Sequence, residues 1–226
     1  MFFGLVFGLF AIEMAWLAYS IGTWGYLLLW PAVSFGLVSL GYFLHIPSVM
    51  GKRQDGKHRI PFRILHLPFR FVALISDGIR AITRRREDHY NLVAPGLWLG
   101  RRLSNAKQLP DEVSAVVDVT AEHARIRGLD TIDYHVIPTL DGQAPPREAF
   151  IALLDQLTPH HRTIYIHCWA GRGRSATFLA ALLIRRGLAR DIDHAVEIMR
   201  VVRPQVGLSK PQRALLEEIF RVEVGA

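Results

Sequence analysis

Apolar residues are concentrated at the beginning of the chain. The stretches Phe2–Tyr19 and Tyr26–Ile46 contain one charged residue between them, Glu13. Each stretch is close to the ~20 residues that a helix needs to cross ~30 Å of hydrocarbon. Ser20–Gly25 separates them and contains two glycines, which suits a tight turn. The pattern predicts two transmembrane helices within residues 1–50, paired as a hairpin.

A secretory signal peptide is the alternative interpretation of the first stretch. That stretch lacks a basic beginning, and it has no small-residue cleavage site followed by polar sequence, so the hairpin is favoured. Half of all residues are hydrophobic, which is more than a plain soluble domain needs, and the excess lies in this region.

Residues 51–90 carry most of the positive charge of the chain. They contain ten Lys/Arg against four Asp/Glu, while the whole chain has a net charge of +7. Basic residues beside a membrane span remain on the cytoplasmic side. We therefore expect a multi-pass protein, for example of a bacterial inner membrane, with both termini and the C-terminal domain in the cytoplasm. A reducing cytoplasm also suits a free cysteine.

The same linker has apolar residues at helical spacing with arginines between them. Phe69–Arg86 is predicted to be a basic amphipathic helix, and Pro61 and Pro68 interrupt the segment before it. Such a helix can lie among anionic lipid headgroups. It can equally dock on the C-terminal domain with its arginines in solvent. Both interpretations remain open at this point.

Residues 91–226 alternate between strand and helix patterns, which indicates the α/β class. The predicted strands are Leu97–Gly100, Ser114–Val119, Tyr134–Pro138 and Thr163–His167. The predicted helices are Arg147–Leu157, Ala176–Arg186, Ile192–Val202 and Lys210–Arg221.

The segment Ile166–Ser175 contains the single cysteine of the chain, Cys168, and Arg174 six residues later. A strand, a loop with two glycines and a helix start form an anion site, because backbone N–H groups and the helix dipole point to one place. That field favours the thiolate of Cys168. Arg174 can bind two oxygens of a phosphoryl group. A buried structural thiol would not need these flanking residues.

These residues resemble the signature of the cysteine-dependent phosphatases, His-Cys-x-x-Gly-x-x-Arg-Ser/Thr, and are closest to the dual-specificity branch. The resemblance covers about Leu92–Phe220 and implies a small central sheet flanked by helices. It implies that Cys168 is the nucleophile and that Arg174 holds phosphate. The phosphate-binding loop would then comprise Trp169, Ala170, Gly171, Arg172, Gly173 and Arg174.

The resemblance also places the general acid in a loop after a strand, at Asp141. This residue lies in a segment punctuated by Gly and Pro, so a turn-forming Asp-Gly is the alternative. Asp130 and Asp133 are the other candidates, but they precede the strand and are expected at its opposite end. His167 is expected to orient the loop. Ser175 is expected to hydrogen-bond the Cys168 sulfur, to cap the following helix, or both.

The substrate is expected to be a phosphorylated lipid or protein within reach of the membrane. Arg172 and Pro138–Gly142 are similar to phosphatidylglycerophosphate and phosphoinositide phosphatases. Trp169 departs from that branch, whose members often have Lys at this position. A binding module that has lost catalysis is the alternative function. The histidines show no metal-ligand spacing and there is no second cysteine, so we predict no metal, no cofactor and no nucleic-acid partner.

Overall fold

The computed structural model describes residues 2–83, 87–159 and 162–224. The chain divides into two compact units. The N-terminal unit comprises residues 1–53 and 58–87, and the C-terminal unit comprises residues 54–57 and 88–226. Most of the linker at residues 51–90 thus groups with the helical hairpin, whereas the short segment Gln54–Lys57 groups with the C-terminal unit.

Two antiparallel helices begin the N-terminal unit. Helix α1 is Phe2–Ile21, helix α2 is Leu29–Phe43, and the 3-10 segment Gly22–Leu28 joins them. The hydroxyl of Ser39 donates to the carbonyl of Gly4 at 2.7 Å, so the end of α2 lies beside the beginning of α1. The continuous helical stretch Phe2–Phe43 is long and apolar enough to cross a membrane, by length and composition.

The second predicted span is shorter than the sequence suggested. Helix α2 has 15 residues, which corresponds to about 22 Å, less than the ~30 Å of hydrocarbon. Helix α2 ends at Phe43 because His45 adopts a positive φ of 56° and Pro47 disfavours helical backbone at the preceding residue. A helical hairpin is present, but a second crossing is not shown.

Two further helices complete the N-terminal unit. Helix α3 is Ile60–Leu65 and helix α4 is Leu67–Thr83. Pro61 and Pro68 each occupy the second residue of a helix, where a missing N–H costs no hydrogen bond. The predicted helix Phe69–Arg86 is therefore present from Leu67 to Thr83, and Arg84–Arg86 lie outside the described residues.

Helices α3 and α4 pack on the hairpin through a few residues at their junction. The Trp30 indole donates to the carbonyl of Leu65 at 3.0 Å. The ring nitrogens of His66, a buried residue, lie 3.4 Å from the Ser34 hydroxyl and 2.9 Å from the carbonyl of Val49. The Phe69 ring contacts two rings of the hairpin. Most of the other large apolar side chains of α3 and α4 are exposed.

A five-stranded sheet forms the centre of the C-terminal unit, with the order β1-β2-β5-β3-β4. The strands are β1 Tyr90–Ala94, β2 Leu97–Arg101, β3 Ala115–Asp118, β4 Asp133–Val136 and β5 Ile164–Cys168. Strand β1 pairs antiparallel with β2, and the other pairs are parallel. The four predicted strands are confirmed, and each of their ends lies within two residues of the predicted position. Strand β1 was not predicted.

The sheet separates two groups of buried side chains. Side chains alternate across a strand, so Ile164 and Ile166 of β5 face one side and Tyr165 faces the other. The first side is covered by helices α5 Arg147–Leu157, α6 Arg174–Arg185, α7 Ile192–Val202 and α8 Lys210–Val224. The second side is covered by residues of the segment 103–134, which includes the 3-10 turn Ala106–Gln108.

Candidate active site

Strand β5 ends at Cys168 in the middle of the sheet. The register places Cys168 beside Arg101 of β2, and His167 beside Asp118 of β3. The carboxyl ends of these parallel strands therefore meet at one edge. Ligands of open α/β sheets bind at such an edge.

The loop after β5 follows a path that requires glycine. Gly171 has a φ of +70°, and a Cβ atom there would lie 2.4 Å from the carbonyl carbon of Gly100. Only glycine combines this backbone conformation with so close an approach to β2. The loop therefore turns back over the strand end, and α6 begins directly after it at Arg174.

The Cys168 sulfur is buried and accepts hydrogen bonds from the loop and from the start of α6. The N–H of Gly171 lies 3.2 Å from it and the Ser175 hydroxyl 3.3 Å from it. Burial by itself would raise the pKa of the thiol. The positive charge of Arg174, together with hydrogen bonds from Ser175 and the Arg172 backbone, outweighs burial and lowers the pKa. The site therefore favours a thiolate, which is the nucleophilic form of cysteine.

Arg174 is held by a carboxylate that the sequence analysis did not identify. The Glu122 side chain accepts two hydrogen bonds from the guanidinium, at 2.7 and 2.8 Å. The carbonyl of Thr139 accepts a third at 2.8 Å. Burial would raise the pKa of Glu122, but the charge of Arg174 lowers it to about 2. Both groups of this buried pair are therefore charged, and the paired guanidinium has a fixed orientation.

Asp141 lies at the same edge of the sheet as Cys168. Its carboxylate is 3.3 Å from Nε of Arg174, and its side chain is 45% exposed. It occupies the loop between β4 and α5, next to Gly142, whose φ is +75°. A partly exposed carboxyl group beside the loop has access both to a bound phosphoester and to water.

The two other candidate acids lie elsewhere. Asp133 begins β4 beside Ala115, the first residue of β3, and it pairs with Arg162. It is therefore at the opposite end of the sheet from Cys168. Asp130 is exposed and precedes Asp133 in the chain. For Asp133, the expectation that it lies at the opposite end from Cys168 agrees with the register.

His167 and Ser175 both contact the Cys168 region. One His167 ring nitrogen lies 3.3 Å from the carbonyl of Cys168, in a fully buried position. Ser175 is not the N-cap of helix α6. Helix α6 begins one residue earlier, at Arg174, and follows Gly173, so Ser175 is inside the helix and its hydroxyl points to the sulfur.

Trp169 and Arg172 form part of the loop surface. The Trp169 ring stacks on His123, with ring centroids 5.2 Å apart. The Trp169 carbonyl accepts from the N–H of Arg102 at 3.2 Å, and the Arg172 carbonyl accepts from the N–H of Gly207 at 3.1 Å. Burial lowers the pKa of His123 to about 4. The stacked pair of Trp169 and His123 is therefore uncharged at neutral pH.

A family model described as the DSP-PTPase phosphatase of polymorphic toxin systems matches residues 104–188. This range contains Glu122, Asp141 and the segment Cys168–Ser175, which we call the nucleophile loop. Over this range the chain is similar to the dual-specificity phosphatases. The model covers less than half of the chain, so the statement concerns this domain and not the N-terminal unit.

Two curated relatives that the chain resembles are named phosphatidylglycerophosphate phosphatases. The chain is 34% identical over 96 residues to phosphatidylglycerophosphate phosphatase PTPMT2 of Arabidopsis thaliana, covering 41% of this chain and 42% of the relative. It is 33% identical over 97 residues to PTPMT1 of the same plant, covering 41% of this chain and 28% of the relative. The chain thus spans less than half of the length of these relatives.

Solved structures show the same fold for the phosphatase domain. PTPMT1 in complex with PI(5)P superposes with a TM-score of 0.53 and 19% identity, over 61% of this chain and 98% of that chain. A variant of human DUSP28 gives a TM-score of 0.52 and 22% identity, over 62% and 99%. At these identities the likeness establishes the fold alone.

A second arginine, Arg203, binds backbone carbonyls of the loop that follows Cys168. Arg203 is buried and donates to the carbonyls of Gly171 at 2.8 Å and Ala170 at 2.9 Å. It also donates to the Asn91 side chain at 2.8 Å. Neither Arg203 nor Glu122 was predicted. Glu122 lies 52 residues from Arg174, and Arg203 lies more than 30 residues from the carbonyls that it binds, so no local pattern identifies either residue.

Proposed function

We propose that the C-terminal unit hydrolyses phosphomonoesters through a cysteinyl-phosphate intermediate. The observation that carries this proposal is the joint placement of Cys168, whose thiol pKa is lowered, and Arg174, which Glu122 holds beside it. A structural cysteine gains nothing from a buried, oriented guanidinium. A nucleophile that attacks phosphorus needs one.

In the first step the Cys168 sulfur attacks phosphorus, and the bond from phosphorus to the ester oxygen breaks. Arg174 and the N–H groups of the loop stabilise the charge on the phosphoryl oxygens. Asp141 gives its proton to the departing oxygen, so an alcohol leaves instead of an alkoxide.

In the second step water attacks the phosphorus of the cysteinyl phosphate. The Asp141 carboxylate accepts a proton from that water, and the sulfur–phosphorus bond breaks. Inorganic phosphate leaves and the thiolate returns. The Ser175 hydroxyl, 3.3 Å from the sulfur, stabilises the departing thiolate by a hydrogen bond.

We propose a phospholipid headgroup as the substrate class. Two observations support it: the two curated relatives are named phosphatidylglycerophosphate phosphatases, and one similar structure holds PI(5)P. The apolar N-terminal stretch would keep the catalytic unit close to lipid phosphate. Phosphorylated membrane proteins would be within the same reach.

We also propose that the N-terminal unit anchors the protein to a membrane and that the catalytic unit faces the cytoplasm. The positive charge of residues 51–90 supports this orientation. Two full crossings, as the sequence predicts, would place both termini in the cytoplasm. An anchor that enters and leaves the membrane from the cytoplasmic side would do the same.

The test is phosphate release by the full chain in mixed micelles. Phosphatidylglycerophosphate, phosphoinositides and a phosphotyrosine peptide are compared at equal concentration, with Cys168→Ser as the control. We expect the highest kcat/KM on one of the lipids and less than about 1% of that activity in Cys168→Ser. A preference for the peptide would contradict the lipid assignment. Phosphate binding without turnover on any of these substrates would identify a binding module.

A further inference from the structure

We infer that the N-terminal unit is an anchor confined to one leaflet, whose helical hairpin enters and leaves the bilayer on the side of the catalytic unit without crossing it. This inference rests on the proposed membrane association and specifies its geometry. The occupant of the exposed apolar surface is then a single leaflet of a membrane that contains acidic lipid. The contacts of α3 and α4 with the hairpin carry the argument.

The junction of α3 and α4 packs on the half of α2 that is nearer the turn of the hairpin. Leu65 contacts Trp30, the second residue of α2, and Phe69 contacts Phe35 at a ring distance of 5.9 Å. At 1.5 Å per residue, these contacts lie roughly 12 to 20 Å along α2 from its end at Phe43. In an upright hairpin that begins and ends at the cytoplasmic surface, they would be at the middle of the ~30 Å hydrocarbon layer.

The residues around that junction do not suit such a depth. Arg63 precedes the junction and is exposed, and Arg70 follows it and is half-buried. An upright hairpin would hold both guanidinium groups within the hydrocarbon, where a charged side chain is expensive. A hairpin lying along one leaflet brings the same junction to the headgroup layer, where arginine stems can reach phosphate oxygens.

Glu13 gives independent support from the other helix. It lies near the midpoint of the 20-residue helix α1 and is exposed. Residues of α1 that face α2, such as Gly4 and Gly8, lie on the opposite side of the helix from Glu13. An upright α1 would place this carboxylate at the bilayer centre, facing lipid. A shallow α1 allows it to reach the interface.

The hairpin turn and helix α4 also suit contact with lipid. The turn carries no charged group that would need water on the opposite side of the membrane. Residues 20–28, which form the turn of the hairpin, contain no charged side chain. Among its described side chains, helix α4 exposes seven large apolar ones, and those at helical spacing are Phe71, Leu74, Ile75, Ile79 and Ile82. Together with the arginines on the same helix, this is the composition of a helix that lies in a membrane surface.

The experiment is a sidedness assay on the full chain. Cys168→Ser removes the only cysteine, and single cysteines are then introduced as Thr23→Cys at the turn and Lys107→Cys on the catalytic unit, both exposed positions. Sealed vesicles of both orientations are treated with a membrane-impermeant maleimide. A nitroxide attached at Glu13→Cys provides a second readout, its depth in the bilayer.

We expect the turn cysteine to react from the same side as Lys107→Cys, or to react only after detergent is added, and the nitroxide to lie well away from the midplane. Reaction of the turn cysteine only from the opposite side overturns the inference and establishes two crossings. A nitroxide at the midplane does the same. Protein that fails to sediment with the vesicles overturns both this inference and the membrane anchoring. Phosphatase activity on a soluble ester is measured separately and decides the catalytic proposal alone.

Discussion

Different interactions stabilise the nucleophile loop and the N-terminal unit, and the two regions expose different kinds of side chain. Around Cys168, a small number of buried polar groups have defined hydrogen-bond partners. Arg174, for example, donates to both Glu122 and Thr139. In the N-terminal unit, a few contacts at Trp30, His66 and the aromatic rings hold the helices together, and most of the large apolar side chains are exposed.

The difference predicts how each region responds to substitution. A site built on oriented charges depends on each member, because removing one partner leaves the other buried without compensation. A surface that binds through apolar area and scattered positive charge distributes its free energy over many side chains. Single substitutions should therefore have large effects at the loop and small effects in the anchor.

Asp141→Asn should produce the largest difference between substrates. We expect kcat on alkyl phosphates to fall about 10²- to 10³-fold, because their poor leaving groups need a proton. Aryl phosphates with good leaving groups should lose much less. Steady-state kinetics on the two classes measure the difference. An equal loss on both classes would assign Asp141 a structural role, and Asp133→Asn is the control at the opposite end of the sheet.

Glu122→Gln should damage the loop through Arg174. We expect about a 100-fold loss of kcat, since a misplaced guanidinium no longer fits the transition state, and a loss of about 3 kcal/mol of stability from the broken buried pair. The matched control is Glu218→Gln. Glu218 forms a 3.0 Å pair with Arg147 and is 58% exposed, so its loss should remain within about 1 kcal/mol. Equal effects of the two variants would contradict the claim that burial and orientation matter.

His123→Phe should change the pH dependence of stability while keeping a ring against Trp169. The pKa of His123 is lowered to about 4 by burial, so the unfolded chain binds a proton that the folded chain does not between pH 6.5 and 4. Above pH 6.5 the neutral His123 costs the folded state nothing. As the pH falls from 6.5 to about 4, the free energy of unfolding decreases by at most about 3 kcal/mol on account of this residue. Urea unfolding at pH 7 and pH 4.5 should show a smaller loss in the variant. An unchanged loss would show that other groups cause it.

Charge substitution in the linker should have the smallest effect. Replacing Arg84, Arg85 and Arg86 by Gln should weaken binding of the full chain to acidic vesicles by a few-fold to about tenfold, and high salt should reduce that difference. Hydrolysis of lipid phosphate should fall more than hydrolysis of a soluble aryl phosphate. Arg127→Gln, an exposed position on the catalytic unit, is the control. Equal binding by the triple variant would show that this charge acts only as a topology signal.

Local patterns in the sequence were sufficient for much of the fold. Helices α5 and α7 have the predicted bounds, because their apolar residues recur at helical spacing and their ends are marked by turn residues. Strand β1 was missed, since its five residues do not alternate between apolar and polar types. The end of α2 was misplaced because an apolar run continues past Phe43, whereas the backbone turns at His45.

Apart from Asp141, which the family resemblance indicated, the candidate site was predictable only where its residues are close in sequence. The loop from Cys168 to Ser175 is contiguous, so its pattern could be recognised. Glu122 lies 52 residues from Arg174, and the packing of Phe69 on Phe7 joins residues that no periodicity links. Such contacts depend on the topology of the sheet and of the helices, which short patterns do not encode.

The central claim is that Cys168 forms a covalent phosphoryl intermediate. Rapid acid quenching of the full chain with a ³²P-labelled lipid phosphate, followed by peptide mapping, tests it directly. We expect label on the peptide that contains Cys168, more label in Asp141→Asn with an aryl phosphate because hydrolysis of the intermediate is slowed, and none in Cys168→Ser. Turnover of the labelled substrate with no label on Cys168 at any quench time, or label retained in Cys168→Ser, would contradict the account.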